Sequence, residues 1–390
     1  MSHRTINTRL FFLYLLTLLL YWTNLVPILT KNPVFFIVSS AVLIILTFVY
    51  YSQAFSSKRI TRSEQLLVFI FSTLLFAHIM FSQTNILQGV NILLSFYIYL
   101  ILPKVPLNSR LIYKVIFWSF IIMTILFLPS VIWGLTNTSS DRASFSGFFN
   151  SSNSMGDLGL SALLCFFLLR ESEIRKSKKK LYVFMSFVLL VIISSHQRSA
   201  IVMLIAWFIA FFVLKRGWDK KIVFIGFVVA LALVGYYMLK SELFTPYNTM
   251  EEYELFGKEA TSRGRSEQIF LALSYFDITP LGEGRGIVNA FVKEDLSYTV
   301  HNTFVVSLLE YGYLIFAFYF IFWFWIYRKG NNLAASFILA YHVILFFEPE
   351  NFFSNQLLPF IAFSIVLISE GNSFKENEYE FIKNRNRMLY

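Results

Sequence analysis

Residues 34–52 read VFFIVSSAVLIILTFVYYS, a run without one charged side chain. A helix of roughly 20 such residues crosses the hydrocarbon core of a bilayer. Similar runs recur along all 390 residues, of which 57% are hydrophobic and only 14% charged. A soluble domain carries about 25% charged residues, so this chain has too few to cover a water-facing surface. The composition therefore predicts an all-α polytopic membrane protein.

The apolar runs predict about twelve transmembrane helices, separated by polar breaks. They lie near 10–29, 34–52, 66–82, 85–102, 111–133, 156–169, 181–195, 199–214, 222–239, 302–326, 333–347 and 355–369. No small-residue cleavage site follows the first run, so we interpret it as a retained helix. The predicted organisation is nine helices in 1–240, a large loop at 241–301, three helices in 302–370 and a tail at 371–390.

The Lys and Arg residues orient this set of helices. With the N-terminus inside, 24 of the 33 basic residues fall in cytoplasmic segments, including the tracts RESEIRKSKKK (170–180) and KRGWDKK (215–221). Cytoplasmic loops carry such an excess of positive charge. Both termini are then cytoplasmic, and the net charge of +10 faces the cytoplasm, which argues against a nucleic-acid partner.

The loop 241–301 is the large extracytoplasmic segment of this topology, with ten carboxylates and five basic residues. Within it, SEQIFLALSYF (266–276) has apolar residues at helical spacing, and Ser266 is placed to act as its N-cap. A turn-rich break, ITPLGEGRGI (278–287), follows. Its GEGRG part is a weak match to a phosphate-binding loop, because we expect it neither to follow a strand nor to open a helix. The single Cys165 excludes an intrachain disulfide.

Two outside arginines stand in positions suited to an anion. Arg198, in SSHQRSA, lies between two apolar runs with almost no loop, where a charge is costly unless it faces a polar cavity or a bound anion. Arg265, in SRGRSEQ, lies near the start of the predicted loop helix, whose free N–H groups would reinforce phosphate binding. The alternative for these two residues and for Arg263 and Arg285 is an ion pair with a nearby carboxylate.

Among the five histidines, His301 stands out because it ends the large loop and begins a long span. A histidine there can act as a general base at the outer surface. On a continuous helix Gly312 would lie about 20° from it and roughly 16 Å deeper, where a neighbouring helix or a lipid tail could approach. Glu310 would face away, so we do not assign it as the base. His78 and His342 are expected to be packed, hydrogen-bonded helix residues.

No metal-binding constellation is present in the sequence. It contains no HExxH motif, no closely spaced Cys/His set and no outside DxD. Glu348 and Glu350, in the short EPEN loop, could bind a cation but are more simply explained as solvating that turn. The sequence therefore predicts neither a cofactor nor a metal.

Four local patterns resemble the O-antigen polymerase and ligase superfamily of bacterial membranes (Wzy-type and WaaL-type proteins). They are RASFSGFFNSSNSMG (142–156), SHQRSA (195–200), SRGRSEQIF followed by PLGEG, and HN at 301–302 followed by Gly312. Their order and their common outside placement carry the resemblance, which spans about residues 140–315. It implies a bacterial cytoplasmic-membrane glycosyltransferase of the GT-C type that needs no metal.

The resemblance implies lipid-linked oligosaccharide chemistry on the outer face of the membrane. Undecaprenyl-pyrophosphate-linked glycans would be donor and acceptor, and a chain-length regulator and a flippase are further partners to consider. Arg198 and Arg265 would stabilise the departing pyrophosphate and His301 would take the proton of the attacking hydroxyl, with inversion at the anomeric carbon. Further substrate-binding candidates are Arg142, Asn150, Asn153, Arg263, Arg285 and Gly312.

Three functions remain open from the sequence. A polymerase extends the glycan, whereas a ligase attaches the finished glycan to a lipid or protein. Ligases often carry a second small or polar residue three positions after the glycine, where this chain has Ile315. We expect Ile315 to narrow the groove at Gly312, which favours the polymerase. A flippase or other transporter is less favoured, because the two halves of the chain differ and the suspect charges lie at one surface.

Overall fold

The structure is a computed structural model of the 390-residue chain. It describes residues 9, 12–20, 33–56, 60–82, 84–101, 109–126, 132, 159–167, 178–194, 198–243, 254–255, 258–259, 263–296, 300 and 302–347. Helices dominate these residues, and one two-stranded antiparallel ribbon occurs in the large loop.

Nine of the helices named below overlap predicted spans, and two, α8 and α9, lie in the predicted loop 241–301. The elements are α1 (Pro33–Ser56), α2 (Arg62–Phe81), α3 (Ile86–Ile101), α4 (Ser109–Leu126), α5 (Lys178–Ser194), α6 (Arg198–Lys215), α7 (Lys220–Leu243), β1 (Glu254–Leu255), β2 (Lys258–Glu259), α8 (Arg263–Tyr275), α9 (Ile287–Leu296), α10 (Thr303–Lys329) and α11 (Asn332–Phe347). Residues 12–20 and 159–167 are also helical, within two further predicted spans. The twelfth predicted span, 355–369, lies outside the described residues.

Two of the described helices, α2 and α10, are long and apolar enough to cross a membrane. Shorter apolar helical stretches are Ile37–Ser52, Ile86–Ile98, Ser199–Lys215 and Asn332–Phe346. Large apolar side chains such as Phe48, Phe69 and Leu233 are more than 60% exposed on the outside of the bundle. A lipid-facing surface explains this exposure, so the helical structure is consistent with a membrane protein. The total of twelve spans stays a prediction.

The main hydrophobic core lies between the helices. Helices α6 and α11 make the most extensive contact in the described part of the chain, and α10 packs on both α11 and α2. Aromatic rings fill this core: Trp207 of α6 contacts Phe337 of α11 edge to face, with ring centroids 5.1 Å apart. His342 packs against Trp323, and its Nδ1–H donates to the carbonyl of Ile338 in its own helix, as expected for a packed helix histidine.

The large loop has its own small hydrophobic cluster. Buried apolar side chains from α8, α9, the residue Val300 between α9 and α10, and the first turns of α10 form it: Ile269, Ala272, Val288, Val292, Val300, Val306 and Leu309. Helix α8 begins at Arg263, three residues earlier than expected, so the prediction of Ser266 as its N-cap is wrong. Asn302 caps α10 by accepting a hydrogen bond from the N–H of Val305 at 3.0 Å. The hydrophobic cluster fixes α8 and α9 to the N-terminal end of α10.

Candidate functional site

Helix α10 is interrupted at Gly312, nine residues after its first residue. Gly312 has φ 79° and ψ 166°, which is outside the helical region. A break of this kind leaves carbonyl and N–H groups without helical partners, and such groups are tolerated at membrane depth only where protein satisfies them. Another segment of the chain must therefore supply the missing hydrogen bonds.

Residues 279–286, TPLGEGRG, supply the missing hydrogen bonds. We call these residues the glycine-rich segment. The N–H groups of Glu283 and Gly284 donate to the carbonyls of Leu309 and Glu310, at 2.9 and 3.0 Å. In return, the N–H groups of Tyr313 and Leu314 donate to the carbonyls of Thr279 and Pro280, at 3.1 and 3.2 Å. These are the groups that would pair with each other in an unbroken helix. Two helical hydrogen bonds are thus replaced by four between segments.

Two glycines make this close approach feasible. A Cβ atom on Gly282 would lie 2.5 Å from the backbone nitrogen of Gly312, and one on Gly312 would lie 2.5 Å from that of Gly282. Both residues have positive φ, 75° and 79°, which favours glycine. The neighbour expected at Gly312 was a helix or a lipid tail; the structure places the glycine-rich segment there instead. The PLGEG pattern therefore forms one structural unit with the pattern that begins at residues 301–302 and ends at Gly312.

Side chains at the α2–α3 corner clamp this segment from the other side. His78 Nδ1 lies 2.6 Å from the carbonyl oxygen of Leu281, so this nitrogen carries the proton and donates. Its Nε2 then accepts from the hydroxyl of Thr84 at 2.7 Å, and Thr84 Oγ1 accepts from the N–H of Arg285 at 2.8 Å. His78 is thus packed and hydrogen-bonded as expected, and its partner is the glycine-rich segment.

The segment leads directly into a helix. Helix α9 begins at Ile287, immediately after Gly286, so the expectation that GEGRG opens no helix is wrong. Apolar residues at 287, 288, 291 and 292 have helical spacing and were the signal that could have revealed α9. A glycine-rich turn before a helix presents free backbone N–H groups, which bind anions. Arg285 lies within this turn and is half-buried.

The predicted site residues are distributed as follows. Arg263 and Arg265 lie in the first turn of α8, which packs on α9 and α10, so Arg265 is near the start of a loop helix, as predicted. Arg198 is the first residue of α6, which packs on α11 and α7. Residues outside the described part of the chain are Arg142, Asn150, Asn153, His301, Glu348 and Glu350. Val300 and Asn302, which flank His301, are buried next to α9 and α10.

Ile315 does not line a groove at Gly312. It is 2% exposed and belongs to the main hydrophobic core, on the part of α10 that follows the break. The expectation that it narrows such a groove is wrong, because the 100° helical progression from His301 does not continue through a break at Gly312. The comparison of residue types at this position with ligases is unaffected.

A separate cleft of about 710 Å³ lies between α1, α2 and α3. Its lining includes Glu64, Val68 and Tyr97, near the start of α2 and the end of α3, whereas His78 and Thr84 lie at the opposite ends of these helices. The cleft is therefore not part of the glycine-rich site. Within the described ranges, no three His, Cys, Asp or Glu side chains form a group that could hold a metal ion.

The fold and this site define a helical protein of membrane type with a glycine-rich loop segment docked into a broken helix. Residues 181–320, from α5 into α10, match a family model described as O-antigen ligase (Wzy_C). The match includes the glycine-rich segment and the break that receives it. It confirms the predicted relationship to the O-antigen polymerase and ligase superfamily. No curated protein matches the chain.

Proposed function

We propose that this protein is a polysaccharide polymerase that acts at the outer face of the bacterial cytoplasmic membrane, with both termini in the cytoplasm. It transfers a growing O-antigen or capsule glycan from undecaprenyl pyrophosphate to an incoming lipid-linked repeat unit. The observation that carries the proposal is the docked glycine-rich segment, which holds Arg285 and the N-terminus of α9 beside the broken helix, within the matched region. An arginine beside the N-terminus of a helix suits a pyrophosphate.

The chemistry requires a stabilised leaving group and a base. The acceptor hydroxyl oxygen attacks the anomeric carbon, the bond between this carbon and the phosphate oxygen breaks, and undecaprenyl pyrophosphate leaves with the electron pair. In the proposal, Arg198 and Arg265 stabilise the negative charge on the leaving group, and His301 takes the hydroxyl proton. The transfer inverts the anomeric centre and needs no metal. Arg142, Asn150, Asn153 and Arg263 are proposed to line the sugar and phosphate sites.

The ligase is the second candidate, because the matching family model is described as O-antigen ligase. The polymerase is preferred on residue type alone: Ile315 stands where ligases of the superfamily often have a small or polar residue. Deletion of the gene separates the two. Loss of a polymerase leaves surface glycans with a single repeat unit, whereas loss of a ligase leaves full polymer on its lipid carrier.

Substitution of the proposed charged residues tests the mechanism. Arg198→Ala and His301→Ala should abolish glycan chain growth while the protein remains in the membrane at normal level. Arg265→Lys should also be severe, because an ammonium group cannot form the bidentate contact of a guanidinium. Arg216→Ala is the matched control for Arg198, since Arg216 is exposed just beyond the other end of α6. Full-length glycan from Arg198→Ala would contradict the assignment.

The transporter alternative is tested with purified protein. A polymerase extends undecaprenyl-pyrophosphate-linked repeat units in detergent, where no transmembrane gradient exists. Failure of the purified, folded protein to extend them, together with gradient-dependent movement of the same lipid in vesicles, would favour the transporter.

A further inference from the structure

Glu310, in the last turn before the break in α10, is a buried carboxylate that the proposed mechanism does not use. Its side chain is fully buried, and neither carboxylate oxygen makes a hydrogen bond within the described structure. The hydroxyls of Ser307 and Tyr311, on the same face of α10, are also buried without hydrogen bonds there. A charged group in this position is costly unless nearby positive charge compensates it.

The positive charge that acts on Glu310 comes from the start of α9. The carbonyl of Glu310 accepts a hydrogen bond from the N–H of Gly284 at 3.0 Å, which places this residue beside the start of α9. Burial disfavours the charged form of its carboxylate, whereas the charge of Arg285 and the backbone N–H groups of Gly286 and Asn289 favour it. The N-terminus of a helix carries a partial positive charge, roughly half an elementary charge. Glu310 therefore lies beside the positively polarised N-terminus of α9, inside the protein.

The other side of this helix end is open. Gly286 has φ 86°, and a Cβ atom added to it would meet nothing within 4 Å. Arg285 is half-buried, and no described carboxylate lies within ion-pair distance of its guanidinium. An external anion can approach this side, whereas Glu310 occupies the inner side.

We propose that Glu310 is the internal counter-charge of this anion site and weakens its hold on pyrophosphate. The inference rests on the proposed function, in which a pyrophosphate-bearing lipid comes to Arg285. After each transfer undecaprenyl pyrophosphate must leave, and a site with only positive groups would retain it. Repulsion between the Glu310 carboxylate and the pyrophosphate shortens the residence of the product. Glu310 is thus a positioning residue that acts through Arg285 and α9, and it does not touch the reacting atoms.

The first test is Glu310→Gln in the full-length protein, which removes the charge and keeps the shape. We expect undecaprenyl pyrophosphate to bind the purified variant roughly tenfold more tightly, as the loss of one nearby like charge predicts. KM for the lipid-linked substrate should fall, and kcat should fall with it, because product release becomes slower. Glu294→Gln is the matched control: it removes the same charge from an exposed position of α9 and should leave binding and turnover unchanged.

A second variant keeps the test decisive if Glu310→Gln does not fold. Asn289→Asp is isosteric, adds a negative charge in the first turn of α9, and retains the oxygen that accepts from the N–H of Val300. It should weaken binding of undecaprenyl pyrophosphate roughly tenfold and raise KM. Unchanged or tighter binding by Asn289→Asp would overturn the inference.

The two proposals can fail separately. If the wild-type protein binds undecaprenyl pyrophosphate and extends glycans, but Glu310→Gln binds the carrier equally or more weakly, only the counter-charge inference is wrong. If the wild-type protein neither binds the carrier nor extends glycans, the proposed function is wrong. In an Arg285→Ala background the tightening by Glu310→Gln should be largely lost; a full tenfold effect there would contradict action through Arg285.

Discussion

Two buried glutamates, Glu64 and Glu310, differ in how their charge is satisfied. Glu64, 1% exposed near the start of α2, accepts a hydrogen bond from the N–H of Thr61 at 2.9 Å and lies 3.5 Å from the ammonium of Lys329. Glu310 is equally buried and makes no such contact in the described structure. Burial alone therefore does not identify a functional carboxylate. A buried carboxylate without hydrogen-bond partners is expected mainly where a ligand or a function explains it.

The surroundings of the two residues differ in the same way. At the Glu64 end, side chains close the helix ends: Thr61 and Glu64 form a capping box, and Lys220 donates to the carbonyl of Gly330 at 2.6 Å. At the Glu310 end, backbone groups of the glycine-rich segment close the broken helix. Side-chain caps stabilise the helix ends near Glu64. Near Glu310, backbone hydrogen bonds to the broken helix hold the glycine-rich segment in a conformation that its own side chains do not fix.

The largest expected effect comes from adding a methyl group at the break. Gly312→Ala or Gly282→Ala places a Cβ atom against the backbone of the other segment and strains a positive φ, so we expect a loss of at least about 3 kcal/mol of stability and no polymer. Thermal unfolding in detergent and glycan length measure the two effects.

Two controls separate the causes of that loss. Gly217→Ala has a positive φ of 85° but open space around it, so strain alone should cost about 1 kcal/mol. Gly226→Ala, in helix α7 with nothing within 4 Å, should be neutral or slightly stabilising. Full-length polymer from Gly312→Ala would show that the segment does not need its docked position.

The next effect comes from the clamp on the glycine-rich segment. Thr84→Val keeps the side-chain shape but removes the acceptor for the Arg285 N–H and the donor to His78, at a cost of roughly 2 kcal/mol. Glycan chain growth should fall several-fold, as measured from surface-glycan length. Thr84→Ser retains the hydroxyl and should stay close to wild type. Equal loss in both variants would mean that the hydroxyl is not the important group.

A smaller effect is expected at the satisfied carboxylate. Glu64→Ala removes half of the capping box and should lower stability by about 1–2 kcal/mol, measured by thermal unfolding. Lipid-carrier binding by the folded protein should not change, in contrast to Glu310→Gln. A roughly tenfold change in carrier binding by Glu64→Ala would erase the distinction between the two glutamates.

The smallest effect is expected for Lys329. Its ammonium is 3.5 Å from Glu64 and 4.1 Å from the centre of the Trp325 ring, and its side chain is 30% exposed. Lys329→Met should cost roughly 0.5 kcal/mol after solvent screening. High salt should reduce the difference from wild type in thermal unfolding. A loss that is large and independent of salt would indicate a packing role.

The sequence predicts the helices well because each needs a long apolar run, and such runs are visible without any structure. The turn at 278–287 was also predictable, from its Gly and Pro residues. Helix α9 was not predicted because the glycines before it indicate a turn, although the apolar residues after Gly286 have helical spacing. The start of α8 was missed because Ser266 is a good capping residue in a place where the helix already exists.

The docking of the glycine-rich segment could not be predicted for a different reason. It is formed by backbone N–H and carbonyl groups, which every residue has, so only Gly282 and Gly312 leave a trace in the sequence. The helical progression from His301 to Gly312 and Ile315 assumed an unbroken helix, and the break invalidates it. The role assigned to Glu310 likewise needed its three-dimensional neighbours on α9. The roles of Arg198, Arg265 and His301 stay predictions.

The reciprocal contact between Gly282 and Gly312 has a consequence for protein engineering. A chimaera that exchanges the large loop between two members of the superfamily transfers only one of the two docking surfaces. The receiving transmembrane helix must contribute a matching interruption, or the imported loop will find its hydrogen-bonding partners already engaged with each other. Loop and helix should therefore be transplanted together, as one module with two separate stretches of sequence.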